Sequence, residues 1–238
     1  MAWPGPPAGA VPLTTSTSPA ATTTPPAPRA LGVVPPANPG ANCAPAGVPP
    51  YTQAGAVALI DYCRARQGVG PLRLPSNFER LTVPEQMLVL VDLERVNRGE
   101  APIVGLTASL DRLAQQGADA GTDPAIGFGD IWAGGATSTA EALYGWMYDD
   151  GYASANLDCV APGYPACWGH RDIILADEVP APLVAGAGFA TVGPYGSSYA
   201  FGLTGYVPGS ALAFSWAGEL RYFALPPGIE PLAPGHDN

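Results

Sequence analysis

The chain has 238 residues, of which 47% are hydrophobic and only 13% charged, with a formal net charge of -10. That length suits one domain with a sizeable core and a surface poor in charge. The acidic balance, with ten arginines and no lysine, argues against a nucleic-acid surface and against docking on anionic lipid, since both need clustered cations.

No run approaches the roughly 18 apolar residues needed to span a bilayer. Met1 to Ala10 has neither the basic start nor the uninterrupted apolar segment of a signal peptide. Two readings stay open: a cytosolic chain, or one whose start lies downstream of a removed signal. Four cysteines, an even number, and a Thr/Pro-rich head favour the second, hence a secreted or cell-envelope location.

Residues 1–50 are Pro, Ala and Thr with almost no charge and no periodicity. Such a segment buries too little apolar surface to offset ordering entropy, so it reads as a disordered stalk or a passive linker. A first helix follows from about Thr52 to Arg66, with Ala56, Leu59, Ile60 and Cys63 on one face, Thr52 as cap and Gly68 as stop. A second begins near Pro84 with Thr82 as cap and Glu85 in the first turn, and points Met87, Leu88, Val91 and Val96 to a core. A third spans about Ala108 to Ala120. Gly121 to Gly135 reads as a Gly-rich connection. A fourth helix runs from about Ser138 to Tyr148, with Glu141 at the capping-box position. A cysteine loop and a short helix at Arg171 to Leu175 come next.

After Pro182 the pattern becomes strand-like. Val184 to Val192, Ser197 to Val207 and Gly218 to Leu225 read as strands, the first two as a hairpin. Glycines 186, 188, 202 and 205 point to sheet positions covered closely by a helix. Helices followed by antiparallel strands predict an α+β domain with a small antiparallel sheet. The divisions expected are 1–50 stalk, 51–82 helix and loop extension, 83–207 core, and 208–238 C-terminal strand and tail.

The chain contains no G-x-S-x-G elbow, phosphate loop, G-x-G-x-x-G fingerprint or H-E-x-x-H. Chemistry therefore concentrates in Trp146 to Leu175. This stretch holds His170, the one histidine outside the Pro/Gly tail that carries His236. A histidine there can donate, accept or ligate near neutral pH, or simply start a helix. Cys159 and Cys167 close a short loop, read as a disulfide; the alternative is a metal set of Cys159, Cys167 and His170. Proximity in sequence pairs Cys43 with Cys63.

The order of motifs resembles the CAP superfamily (cysteine-rich secretory, antigen 5 and pathogenesis-related proteins), in its secreted bacterial branch. Gly169-His170-Arg171-Asp172-Ile173-Ile174-Leu175 is similar to its G-H-x-x-N-I-L signature. Trp146-Met147-Tyr148-Asp149 looks like its W-x-x-E/S segment, and Gly129 to Gly134 like its G-E-N-I-A-x-G segment. Leu93 to Asn97 resembles its N-x-x-R region and Val184 to Gly205 its last hairpin. The resemblance implies a three-layer α-β-α sandwich with a central cleft, His170 as its second histidine, Asp130 as first acid and Asp149 as second. The first histidine belongs in Ala114 to Gly127, which has none. The set His170, Asp130 and Asp149 then leaves room for only a weak divalent cation, and no cofactor is expected.

Three functions follow from different classes. The first is an extracellular binding domain for a small ligand, lipid, polymer segment or envelope component, with Trp132, Tyr148, Tyr152 and Trp168 lining the cleft. The second is a cell-envelope hydrolase using His170 with Asp130 or Asp149. The third is an interaction scaffold with a vestigial cleft. Binding ranks first, with catalysis the less favoured outcome.

Overall fold

The computed structural model describes residues 38–43, 52–175, 182–191 and 195–223. The stalk apart from residues 38–43, the tail with His236, and the turn expected at Gly193-Pro194 lie outside the described residues.

The elements run α1 (Gln53–Arg66), α2 (Val83–Val96), β1 (Ile103–Leu106), α3 (Ala108–Ala120), β2 (Gly129–Gly134) and α4 (Thr139–Tyr148). They continue with α5 (Gly169–Leu175), β3 (Leu183–Ala190), β4 (Ser198–Gly205), β5 (Phe214–Ser215) and α6 (Trp216–Glu219). This is an α+β fold in which helices pack against a five-stranded open sheet.

Capping chemistry sets the helix starts. Thr52, Thr107 and Ser138 each accept from the backbone N–H three residues on, at 3.0, 3.3 and 3.2 Å. The Glu85 carboxylate accepts from the Thr82 N–H at 2.7 Å, the reach-back half of a capping box. Each such cap is worth about 1 kcal/mol.

The sheet order is β2-β4-β3-β1-β5. β3 and β4 form the expected hairpin, with Leu183 opposite Gly205 and Ala190 opposite Ser198. The sheet is mixed, not antiparallel throughout, because β1 runs parallel to β3. β1 has four residues, too few for a sequence pattern to reveal. The Gly-rich connection contains β2, an edge strand that pairs with β4 from Gly129↔Leu203 to Gly134↔Ser198. Gly129 and Gly134 in it sit against Ile173 and Trp132, while Gly121, Gly127 and Gly135 take the positive φ of a cap or turn. The expected strand from Gly218 is instead α6 followed by a 3-10 turn at Leu220–Tyr222; Ser215 caps α6, accepting from the Gly218 N–H at 3.1 Å. The end of that segment lies outside the described residues.

The two sheet faces differ. On one, α3 lies directly on the strands. A Cβ on Gly186 would stand 2.3 Å from the backbone carbon of Leu110, and one on Gly188 2.4 Å from that of Ala114. On the other face, Ile131, Ala185, Ala187, Phe201 and Leu203 join the main core with residues of α1, α2 and α4. α2 is buried without interruption from Met87 to Arg95. Burying each of its leucines contributes about 1.5–3 kcal/mol.

Two disulfides close the described chain. Cys43–Cys63 ties the residues before α1 to that helix, and Cys159–Cys167 closes the loop between α4 and α5. No described helix is long and apolar enough to cross a membrane.

Candidate functional site around His170

α4 ends at Tyr148 with Asp149 as its C-cap. The next residue, Asp150, turns inward, and its side chain is 1% exposed. Its Oδ2 accepts from the backbone N–H of His170 at 3.0 Å and of Arg171 at 3.3 Å, so a carboxylate from the end of one helix stabilises the start of another. Its Oδ1 lies 2.6 Å from His170 Nδ1 and accepts from Asn156 Nδ2 at 2.7 Å. Asn156 also donates to the Asp150 and Ala166 carbonyls, at 3.0 and 3.1 Å. His170 is thus fixed at Nδ1 by a carboxylate that is itself held in place.

The other ring nitrogen takes no hydrogen bond among the described residues, and it is not a buried orphan. The His170 side chain is 21% exposed. With Nδ1–H bound to Asp150, the neutral ring presents an Nε2 lone pair outward. That atom can accept a hydrogen bond from a ligand or take a proton from water.

Electrostatics draws further acids into the group. Crowding by protein atoms disfavours a charged imidazole. The Asp150 hydrogen bond and the charges of Asp150, Asp123 and Asp158 outweigh it, so the His170 pKa is raised. Asp123 is exposed by area, yet nearby protein atoms displace enough water to raise its carboxyl. His170 pulls it down, while Asp130 and Asp158 push it up. Asp123 comes from the segment where a first histidine was expected. Gly117 lets that segment fold back on α3, because a Cβ there would stand 2.9 Å from Pro124 and from the Thr122 carbonyl.

The sequence pointed to Asp130 and Asp149 as partners of His170; the carboxylate in contact is Asp150. Asp130 sits on the α3 face of β2. It accepts from the Ile126 N–H at 3.2 Å and the Gly127 N–H at 3.3 Å, and burial raises its carboxyl. It joins the site through its charge on Asp123. Asp149 makes no hydrogen bond to His170, and its pKa is raised to about 6 by burial and by neighbouring Asp150. Among the described residues no group of three or more His, Cys, Asp or Glu side chains is arranged to hold a metal. His170, Asp130 and Asp149 are therefore not assembled as a cation set, and the disulfide removes Cys159 and Cys167 as thiolate ligands. Adjacent carboxylates in Asp149-Asp150-Gly151 read alike in sequence. The structure separates them at Gly151, whose Cβ would meet Asn42 Oδ1 at 2.6 Å and the Trp168 ring at 2.7 Å. That close packing marks a buried turn, not a solvated one.

The four aromatics named for a cleft lie in different environments. Tyr152 is 51% exposed, beside the His170 loop. Trp168 is buried against Gly151, with φ of 69°. Trp132 is half-buried on the α3 face and donates to Ser198 Oγ at 2.7 Å. Tyr148 is fully buried and presents no surface to a ligand.

Tyr148 belongs to a polar network behind the site. Its hydroxyl is 2.9 and 2.8 Å from the two Glu94 oxygens and 3.0 Å from Arg98. Glu94, with no exposed surface, pairs with Arg64 at 3.0 Å and with Arg98. Arg171 donates to the Met147 carbonyl at 2.9 Å and to Gln67 at 3.2 Å. Burial and neighbouring Arg98 lower its pKa to about 10. Arg171 thereby ties the start of α5 to the end of α4 from the inside, while His170 faces out.

A separate groove of about 490 Å³ lies between Pro71, Leu93, Trp216 and Phe223 and shares no residue with the His170 group. No protein-family model, curated protein or solved structure matches this chain.

Proposed function

We propose that this chain is an extracellular binding domain with a three-layer α-β-α architecture of the CAP type, and that its ligand site is the His170 surface. The observation that carries the reading is the His170–Asp150 pair: a fixed imidazole whose outer nitrogen has no protein partner among the described residues. Two disulfides fit an oxidising compartment. The order of the G-H-x-x-N-I-L-like, W-x-x-E-like and G-E-N-I-A-like segments supports the family. Asp150 orients the ring and holds the proton on Nδ1, so Nε2 receives a hydrogen-bond donor from the ligand.

The test is to follow the His170 imidazole proton signals by NMR while adding soluble cell-wall glycopeptide fragments, short-chain lipids and oligosaccharides. At least one class perturbs His170 in the wild type and fails to bind His170→Gln. If none binds, the site is vestigial and the binding reading falls.

The same pair favours a second reading, a cell-envelope hydrolase. An imidazole backed by a carboxylate is the arrangement of a general base, with Nε2 taking a proton from attacking water. Turnover of a cell-wall substrate that His170→Gln abolishes would establish it in place of simple binding.

A further inference from the structure

The loop that carries Asp150 and Asn156 has an outer side as well as an inner one. It leaves α4 at Asp150 and returns at Trp168, where the Trp168 N–H donates to the Asp150 carbonyl at 3.0 Å. Its ends therefore touch. The Cys159–Cys167 bond cross-links it again. Such a loop keeps its shape when free, which lowers the ordering cost of binding.

Its outer side is apolar. Tyr152 is 51% exposed, Leu157 61%, Val160 65% and Tyr164 47%. These are half of the eight large hydrophobic side chains that are exposed among the described residues. They occupy one loop, whereas isolated exposed apolar residues are ordinary. Asp158 lies between Leu157 and Val160 and is exposed, as is Asp123 across the His170 group.

The charge along this part of the sequence has one sign. From Leu113 to His170 the chain has seven aspartates and glutamates and no arginine or lysine. The next cation, Arg171, is fully buried. Acidity disfavours insertion of the loop into an anionic membrane. Leu157 and Val160, the two most exposed of the four, suit the aliphatic side chains of a polypeptide.

We infer that the 150–168 loop and the adjoining His170 group form a docking surface for a basic, amphipathic polypeptide segment. Apolar side chains of the partner cover Val160, Leu157 and Tyr164. Its lysine or arginine side chains meet Asp158 and Asp123, and one of them donates to His170 Nε2. The inference rests on the binding reading above and names its partner class.

The experiment uses the full chain and two synthetic 14-residue peptides of alternating hydrophobicity, one Lys/Leu and one Glu/Leu, with anionic lipid vesicles as a third probe. The Lys/Leu peptide binds, more weakly as salt rises, and it lowers the His170 pKa by adding a cation beside the ring. Val160→Ser with Tyr164→Ser weakens it at least about tenfold with unchanged thermal unfolding, and Asp158→Asn weakens it several-fold. Equal binding of the Glu/Leu peptide, no effect of the loop substitutions, or preference for vesicles overturns the inference. If the peptide leaves His170 unmoved while a glycopeptide or lipid fragment shifts it, the binding reading stands and this partner class falls.

Discussion

His170 Nδ1 and Asp150 Oδ1 lie 2.6 Å apart, joining the end of α4 to the start of α5 through side chains 20 residues apart in sequence. The contact makes stability depend on pH. Burial opposes the imidazolium, but Asp150, Asp123 and Asp158 favour it more, so the folded pKa exceeds the unfolded value of about 6.5. The folded state then binds the proton more tightly than the unfolded state. The stabilisation is fully present below about pH 6.5 and disappears as pH rises through the folded pKa. Urea unfolding at a series of pH values should show this loss in the wild type and not in His170→Gln. Asp150→Asn should lower the His170 pKa measured by NMR.

Asp149 carries the opposite sign. Its pKa is raised from 3.8 to about 6 by burial and by Asp150. The folded state prefers the protonated acid, so ionisation of Asp149 weakens folding as pH rises from 4 through 6. Asp149→Asn should stabilise the protein at pH 7, with the gain vanishing below pH 4. Thermal unfolding of both proteins at the two pH values measures it, and a gain that persists at pH 3 contradicts the assignment.

Glu94 neutralises part of a buried cluster of guanidiniums. Glu94→Gln leaves Arg64 and Arg98 without their carboxylate in a site closed to water. Breaking a buried pair from one side costs about 3–5 kcal/mol. Tyr148→Phe removes only a hydroxyl bonded to groups that keep other partners, and should cost about 1–3 kcal/mol. Chemical denaturation should rank the two in that order.

The glycines of β3 admit a comparison within one strand pair. Gly186→Ala places a methyl 2.3 Å from the backbone of α3, and backbone cannot rotate away. The cost should reach or exceed the 1–3 kcal/mol typical of overpacking. Gly205, in the paired strand β4 opposite Leu183, has nothing within 4 Å of its Cβ position. Gly205→Ala should stay within about 0.5 kcal/mol.

Removing the cross-links separates their roles. In the chain-entropy picture, Cys43–Cys63, 20 positions apart, contributes about 3 kcal/mol and Cys159–Cys167 about 2.5 kcal/mol. Cys63→Ser with Cys43→Ser should lower the unfolding midpoint and leave the His170 signals in place. The corresponding pair at 159 and 167 should also broaden those signals, because Ala166 accepts from Asn156, which holds Asp150.

Three helices were legible because their caps are local chemistry: Thr52, Thr82 and Ser138 announce their starts within four residues. The hairpin was legible because two Gly- and aromatic-rich runs flank the turn signal Gly193-Pro194-Tyr195-Gly196. β1 was hidden, since four residues after a proline carry no period, and its parallel pairing with β3 depends on residues some 80 positions away. α6 was hidden by Tyr222 and Phe223, which suit a strand but pack as rings, Phe223 against Trp216 at 5.4 Å. His170 and both cysteine pairs could be found from residue type and spacing. Asp150 could not be told from Asp149, because the choice depends on where α4 ends and which way the chain turns. Asp123 was invisible as a participant, since its role comes from proximity in space to His170.

That proximity has its origin on the far side of the sheet. Gly186 and Gly188 let α3 settle against the strands, and Gly117 lets the chain after α3 double back. The Asp123 carboxylate is therefore located by three places where a side chain is missing, none of which touches a ligand. The seating depth of α3 acts as a setting screw for the field at His170. Variation at glycines that look purely architectural would retune the ring's proton affinity while every residue of the site stayed the same.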